Sequence, residues 1–381
     1  MKTEIVRVFD EPAFTAGRVR ESLKQLDPTN IKILSTMANV GPRNLKEVSR
    51  LTGIPCTTVH YRVAQMESKT QEIVYLLANV SKLGMTRVTV LVAAKPGLED
   101  LVTQALRIPN YWRIIERCEG AFTHHSIQVI PNKYLKEFKQ YVSDMRARNL
   151  ISAYRIIETG DVFPIFPDFS SYYSSSGEWV FDWEGWLTAL KNVGQAEPIK
   201  DPRRDLVDLE KIDIKIITSL ELDGRMKFTD IAKKCGCSPQ TVKYRYDNKL
   251  VPTNIATTFD FFVFPFPLEI SPWHEFMLEF PDTASMCRFG VVAKKLFFIH
   301  QFVKALRKNS LLVRTRIINS QVENMFTFFS EMVNAGQLTS YSAVRLNIDS
   351  RIRNTISCEL FDPVSGWEWD VYKNLLELNK L

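Results

Sequence analysis

The chain is written twice. Sliding its 381 residues by 183 lays Leu26-Asp27 on Leu209-Glu210 and Ile31-Lys32-Ile33-Leu34 on Ile214-Lys215-Ile216-Ile217. Without a gap, Gly41 then falls on Gly224, Gly53 on Gly236, and Thr58-Val59-His60-Tyr61-Arg62 on Thr241-Val242-Lys243-Tyr244-Arg245. Further on the offset becomes 188, which sets Phe138 over Phe326, Leu150 over Leu338, Ser152 over Ser340 and Trp179 over Trp367. Two halves, about 26–192 and 209–381, are therefore expected to share one architecture.

The first third of each half reads as three short helices. Ile31, Leu34 and Met37 recur at helical spacing behind Asp27, a good capping residue. Gly41-Pro42 stops that helix, and Leu45, Val48 and Leu51 mark a second. Gly53 supplies a tight turn, and a third helix starts near Pro55 with Val59, Val63 and Met66 inward. The second copy repeats this through Ile214, Ile217 and Leu220, then Phe228 and Ile231, Gly236, Ser238-Pro239, and Val242, Tyr246 and Leu250. A glycine turn before the third helix is the helix-turn-helix pattern.

Charge follows the same segments. Arg43 to Arg62 carries net +3 and Gly224 to Leu250 net +5, more together than the +6 of the whole chain. Two basic segments on a near-neutral body point to two phosphate-facing surfaces. On the first, Thr57, Thr58, His60 and Tyr61 would read bases, with Arg43 and Lys46 on phosphate and Arg62 on phosphate or bracing the fold. On the second, Gln240, Thr241, Lys243 and Tyr244 would read, with Lys227 and Arg245 beside them. The copies differ at His60/Lys243 and Thr57/Gln240, so identical base preferences are not expected.

This pattern resembles the Lrp/AsnC family of transcription regulators. The likeness lies in Leu26-Asp27 before Ile33-Leu34, in Val59 and Arg62, and in the stretch Ile73-Val74-Tyr75-Leu76-Leu77 to Lys82-Leu83-Gly84, which resembles the family's hairpin ending in Leu-Gly. The resemblance implies an α+β fold: two winged helix-turn-helix modules (26–80 and 206–258), each followed by a ferredoxin-like βαββαβ sandwich (81–160 and 259–348). In the first half the order fits strands at 87–94, 111–117, 122–130 and 152–158 with helices at 98–106 and 134–145. The family's sensor turn carries an acid after its glycine. Here Gly120-Ala121-Phe122-Thr123 lacks the acid, and Lys308-Asn309-Ser310-Leu311 lacks the glycine too, which argues against amino-acid sensing. Gly120 and Thr123 remain the weak effector candidates.

Around these modules lie an N-terminal extension (1–25), an aromatic strap and linker (161–205) and a C-terminal aromatic strap (349–381). The strap at 162–192 holds Phe163, Phe166, Phe169, Tyr172, Tyr173, Trp179, Phe181, Trp183 and Trp186, and is expected to pack on its own sandwich. Cys235-Gly236-Cys237 has the wrong spacing for structural zinc, and no metal or cofactor is expected. His124 and His125 should point to opposite faces of one strand. No apolar run approaches a membrane span and the N-terminus is no signal peptide, so a cytoplasmic location is expected. The expected function is a double-stranded DNA-binding transcription regulator, not an enzyme, with both modules in one chain as a covalent pseudo-dimer. Further homo-oligomerisation and a small-molecule effector stay open. The alternative is a ligand-binding or tetrapyrrole-modifying protein with relic helix-turn-helix modules. Some proteins resembling this fold act on tetrapyrroles, and His124, His125, Arg113 and Arg117 would then be the candidates.

Overall fold

The computed structural model describes residues 4–7, 26–70, 74–173, 178–203, 206–261, 263 and 265–381. After the short strand β1 (Glu4–Arg7), helices α1 (Pro28–Val40), α2 (Leu45–Thr52) and α3 (Cys56–Thr70) build the first trihelical module. Asp27 caps α1 by accepting the Asn30 amide at 2.9 Å. Gly53 closes α2 with φ 70°, a left-handed conformation that costs a side-chain-bearing residue more. There follow β2 (Val74–Leu76), β3 (Met85–Ala94), α4 (Glu99–Arg107), β4 (Trp112–Glu119), β5 (His124–Pro131), α5 (Leu135–Ala147) and β6 (Ile151–Pro164). The strap forms β7 (Tyr172–Tyr173), β8 (Glu178–Phe181) and α6 (Trp183–Asn192).

The second half repeats the plan. Helices α7 (Lys211–Leu222), α8 (Phe228–Cys235) and α9 (Pro239–Arg245) each begin 183 residues after their counterparts. Then come β9 (Phe259–Phe261), β10 (Trp273–Glu279), α10 (Thr283–Ala293), β11 (Ile299–Ala305), β12 (Ser310–Arg316), α11 (Val322–Asn334) and β13 (Ser340–Arg353). The last pieces are β14 (Phe361–Asp362), β15 (Gly366–Trp367) and α12 (Val371–Leu378). Helix α11 starts 187 residues after α5, one fewer than the sequence match implies.

Each βαββαβ unit forms a four-stranded sheet, and the two sheets close into one eight-stranded barrel in the order β10-β12-β11-β6-β3-β5-β4-β13. The closure comes from the two 14-residue strands. The end of β6 leaves its own sheet to pair with β11, Phe163 opposite Phe302. Likewise β13 pairs with β4, Leu346 opposite Cys118. Helices cover the outside of the barrel, so its interior is a wall-to-wall contact between the halves.

Two expectations change here. The segment after the first module makes no hairpin of its own. Instead β2 pairs with β9 across the halves, Tyr75 opposite Asp260. Strands of three residues are too short to hold an isolated hairpin, and pairing across buries Val74, Leu76 and Phe261. The aromatic strap also leaves its own sandwich. Because β6 delivers the chain beside β11, Trp179, Phe181 and Trp183 pack on Phe297, Phe298 and Phe328 of the second half. Reciprocally Trp369 lies against Tyr111, Tyr134, Phe138 and Tyr141 of the first half, and Trp367 Nε1 donates to the Leu83 carbonyl. Within the expected strap and linker (161–205), of which 174–177, Arg204 and Asp205 fall outside the described residues, Asp201 pairs with Lys304 and accepts the Arg307 amide at 3.0 Å. No helix among the described residues is long and apolar enough to cross a membrane.

Candidate functional site

The two trihelical modules clasp each other. Arg43 donates from Nη1 to the Gly224 carbonyl at 3.1 Å and from Nη2 to the Met226 carbonyl at 3.0 Å, with its guanidinium 4.2 Å from the Phe228 ring centre. From the other side, Arg225 pairs with Glu67 and donates to the Pro42 carbonyl at 2.6 Å. Arg43 thus faces the second module, and burial lowers its pKa. Arg62 pairs with Asp27 at 2.6 Å, and Arg245 with Glu210 and Asp213. These three arginines are occupied by the fold; the first was read as a phosphate contact, the others as phosphate contacts or braces. Thr57, His60, Tyr61, Gln240, Lys243 and Tyr244 stand on the exposed faces of α3 and α9, as do Lys46 on α2 and Lys227 at the start of α8. Thr58 and Thr241 are half-buried. Lys243 is held by Asp247 one turn on.

A concavity lies elsewhere, between the halves. A cleft of about 750 Å³ opens between the β2/β9 ribbon, the last turn of α7 and the far ends of β6 and β13. Six cations line it (Arg87, Arg113, Lys294, Arg314, Arg351, Arg353) against three carboxylates (Asp161, Glu221, Asp260), together with His300. Its walls are unlike. The end of β6 contributes Val162, Phe163, Pro164 and Ile165, whereas the end of β13 contributes Arg351 and Arg353. Phe163 stacks on Phe302 at 5.1 Å and keeps 38% of its surface exposed.

Three of these residues sit at breaks in the strand register. Arg113 is the extra residue of β4 between Trp112 and Ile114, and His300 that of β11 between Ile299 and Gln301. Arg351 falls in the irregular stretch of β13 between Asn347 and Ile352. A bulge turns a side chain out of the alternating pattern and is a common device beside functional sites.

The electrostatics are unbalanced. The Arg87 side chain finds no hydrogen-bonding partner among the described residues, and its Nε is enclosed. Burial, with Arg314 close by, pushes its pKa down to about 10. Arg314 Nε donates to Glu275 at 2.8 Å and Arg351 Nε to Glu116 at 2.7 Å, but the Nη2 of each makes no hydrogen bond among the described residues, that of Arg314 lying 4.0 Å from Glu116. Burial would raise Glu116, yet Arg351 and His125 beside it outweigh that and hold it at about 2. Arg113 lies 3.6 Å from Glu221, and Arg353 lies 4.3 Å from the Tyr75 ring centre. Burial raises the pKa of both Glu221 and Asp161, against the opposing pull of Arg113 and Lys82 respectively. His300 Nε2 and Asp260 Oδ2 are 3.2 Å apart.

Of the four residues named for the tetrapyrrole alternative, the cleft contains one, Arg113. Arg117 pairs with Asp100 at the surface. His124 and His125 do face opposite sides of β5, but both are buried. His124 is fixed under α4 by Thr123, Thr103 and the Glu99 carbonyl, and burial with Arg117 lowers it to about 4. His125 lies inside the barrel against Glu116 at 2.9 Å. Thr123 donates to the Val92 carbonyl and accepts the Ala94 amide, and Gly120 turns at φ 126°, so the old sensor turn is bound up in the sheet. Among the described residues no group of His, Cys, Asp and Glu could hold a metal ion. Arg87, His300, Asp260, Arg314, Arg351 and Arg353 were not singled out from the sequence. Only the register breaks and the pairing of the halves bring them together.

Residues 209–248 match the AsnC-type helix-turn-helix domain. The whole fold superposes on the siroheme decarboxylase NirDL with a TM-score of 0.55, over 92% of this chain and 97% of that one, at 10% identity. NirDL in co-complex with an iron-uroporphyrin III analogue gives 0.53, over 92% and 98%, at 9% identity. E. coli AsnC is 15% identical over 39% of this chain and 97% of its own, with a TM-score of 0.29. No curated protein sequence matches. At such identities the likeness to NirDL is one of fold, the duplicated α+β arrangement. It corrects one expectation: a chain read as no enzyme shares its fold, nearly end to end, with an enzyme.

Proposed function

We propose that the protein binds a carboxylate-bearing tetrapyrrole in the cleft between its halves and removes carboxyl groups from its side chains. Arg87 carries this reading. A mostly buried cation with no hydrogen-bonding partner among the described residues, beside two more arginines that each keep an unbonded N–H there, calls for an anion. The planar forks of Arg87, Arg314 and Arg351 suit carboxylates, which guanidinium binds in bidentate fashion. The volume lies within the range of sites for sizeable ligands, and Phe163 offers an apolar face to a flat macrocycle. The shared fold with a siroheme decarboxylase supports the reaction class. Loss of CO₂ from an acetate side chain leaves the bonding pair on carbon, which must take up a proton to give a methyl group. His300, oriented by Asp260, is the group at the cleft suited to deliver it.

The test is incubation with siroheme under reducing conditions, followed by mass spectrometry. A loss of one CO₂ per acetate is expected from the parent chain, falling at least tenfold in His300→Gln and Arg87→Met. Siroheme recovered unchanged, with no saturable change in its absorption spectrum on mixing, overturns the reading.

A second reading rests on a separate observation. The AsnC-type module and its twin expose Thr57, His60, Tyr61, Gln240, Lys243 and Tyr244 on their third helices, where such modules contact DNA. Retained DNA binding would show as affinity for duplex fragments falling steeply with salt. Binding no tighter than that of a Lys243→Ala, His60→Ala variant would leave the modules as scaffold.

A further inference from the structure

Behind the cleft, inside the barrel, lies a buried pair of acids. Glu116 on β4 accepts from Arg351 Nε through one oxygen and faces His125 Nδ1 at 2.9 Å through the other. Glu275 on β10 accepts from Arg314 Nε at 2.8 Å. His125 stands between them, its Nε2 3.8 Å from Glu275. The side chains of Glu116 and His125 are 0% exposed and that of Glu275 8%. Each carboxylate therefore takes the Nε edge of one arginine. Arg314 Nη2 also lies 4.0 Å from Glu116, but neither it nor Arg351 Nη2 makes a hydrogen bond among the described residues, so each five-donor guanidinium keeps N–H groups for a ligand.

Resting on the tetrapyrrole reading, we propose that Glu116 and Glu275, braced by His125, are positioning residues that hold Arg351 and Arg314 as a two-pronged clamp on ligand carboxylates. Two opposed effects make this decidable. A plain electrostatic account has the acids weaken anion binding, because each cancels a cation, so neutralising one should tighten the complex. A positioning account has the opposite sign. Without its carboxylate, a guanidinium on a long flexible stem loses its fixed orientation, and the ligand must order it on binding.

The experiment titrates the full chain with iron-uroporphyrin III, read by absorption, and with its esterified, uncharged form. Glu116→Gln and Glu275→Gln should each raise the Kd for the polycarboxylate at least tenfold and leave the ester's Kd within twofold. Arg314→Lys, which keeps the charge but loses the fork, should lose as much as Glu275→Gln. The double variant should lose no more than either single change, since one clamp is being broken twice. That cycle also serves should Glu116→Gln fail to fold. Unchanged or tighter binding in folded Gln variants, or additive losses at Arg314 and Glu275, overturns the clamp while the tetrapyrrole site stands. Absence of saturable binding by the parent chain overturns both.

Discussion

Arg87, on which the proposed anion site rests, differs from the arginines that brace the fold. In the ligand-free protein it is a liability, since burial and the neighbouring Arg314 disfavour its charge and Glu275 offsets only part of that. Arg87→Met should therefore raise the thermal stability of the ligand-free protein, by about 1–4 kcal/mol, while abolishing uroporphyrin binding. A variant that binds as the parent does, or that melts earlier, contradicts this role. The buried histidines set a different prediction. His124, and His274 under burial and near Arg345, are both lowered from 6.5 to about 4. Their folded forms stay neutral while the unfolded chain takes up protons as pH falls through 6.5. The stability they contribute is thus whole above pH 6.5 and drains between there and about 4, by roughly 3 kcal/mol for each. Chemical denaturation at pH 7 and pH 4.5 measures the loss. In His124→Gln with His274→Phe the difference should shrink by more than half, and an unaltered difference would assign the acid sensitivity elsewhere.

Helices, turns and strands were largely legible in the sequence, because what specifies them is local. Asp27, Gly53, Gly236 and Ser238-Pro239 stand at the caps where their chemistry put them. The strands expected at 87–94 and 122–130 are found at Met85–Ala94 and His124–Pro131. What stayed hidden was the choice of partner. Nothing in Val74-Tyr75-Leu76 says that its mate lies in the other half, and nothing in Trp179 or Trp183 says which sandwich it covers. The register breaks at Arg113 and His300 are equally silent, since an extra residue in a strand leaves the hydrophobic alternation only slightly disturbed. The clasp between the modules offers the clearest test at this scale. Arg43→Ala leaves the Gly224 and Met226 carbonyls without their donor and uncovers Phe228, and should cost about 2 kcal/mol. A phosphate contact would behave otherwise, lowering the salt dependence of DNA binding at unchanged melting temperature.

At the scale of the molecule, the halves are not two domains in series. The barrel needs both sheets, the β2/β9 ribbon needs one strand from each, and each aromatic strap seals the other half. Residues 1–205 or 206–381 produced alone should therefore remain unfolded or aggregate, while the two produced together should restore near-ultraviolet circular dichroism and uroporphyrin binding. A well-dispersed amide spectrum from either fragment as a monomer would contradict this dependence. The same mutual dependence explains why the site escaped sequence reading. Arg87 and Arg113 arrive from the first copy, and His300, Arg314, Arg351 and Arg353 from the second, so the cleft exists only once both are folded.

The unlike walls of that cleft bear on inheritance. In an assembly of two identical chains, the ends of both long strands are encoded by the same codons, and any arginine gained on one side appears on the other. Once the copies are joined in a single reading frame, that constraint lifts. The end of β6 could drift to Val162, Phe163, Pro164 and Ile165 while the end of β13 kept Arg351 and Arg353. A ligand with one charged rim and one greasy flank then has a single way in, and each wall can be tuned by a substitution that leaves its twin untouched.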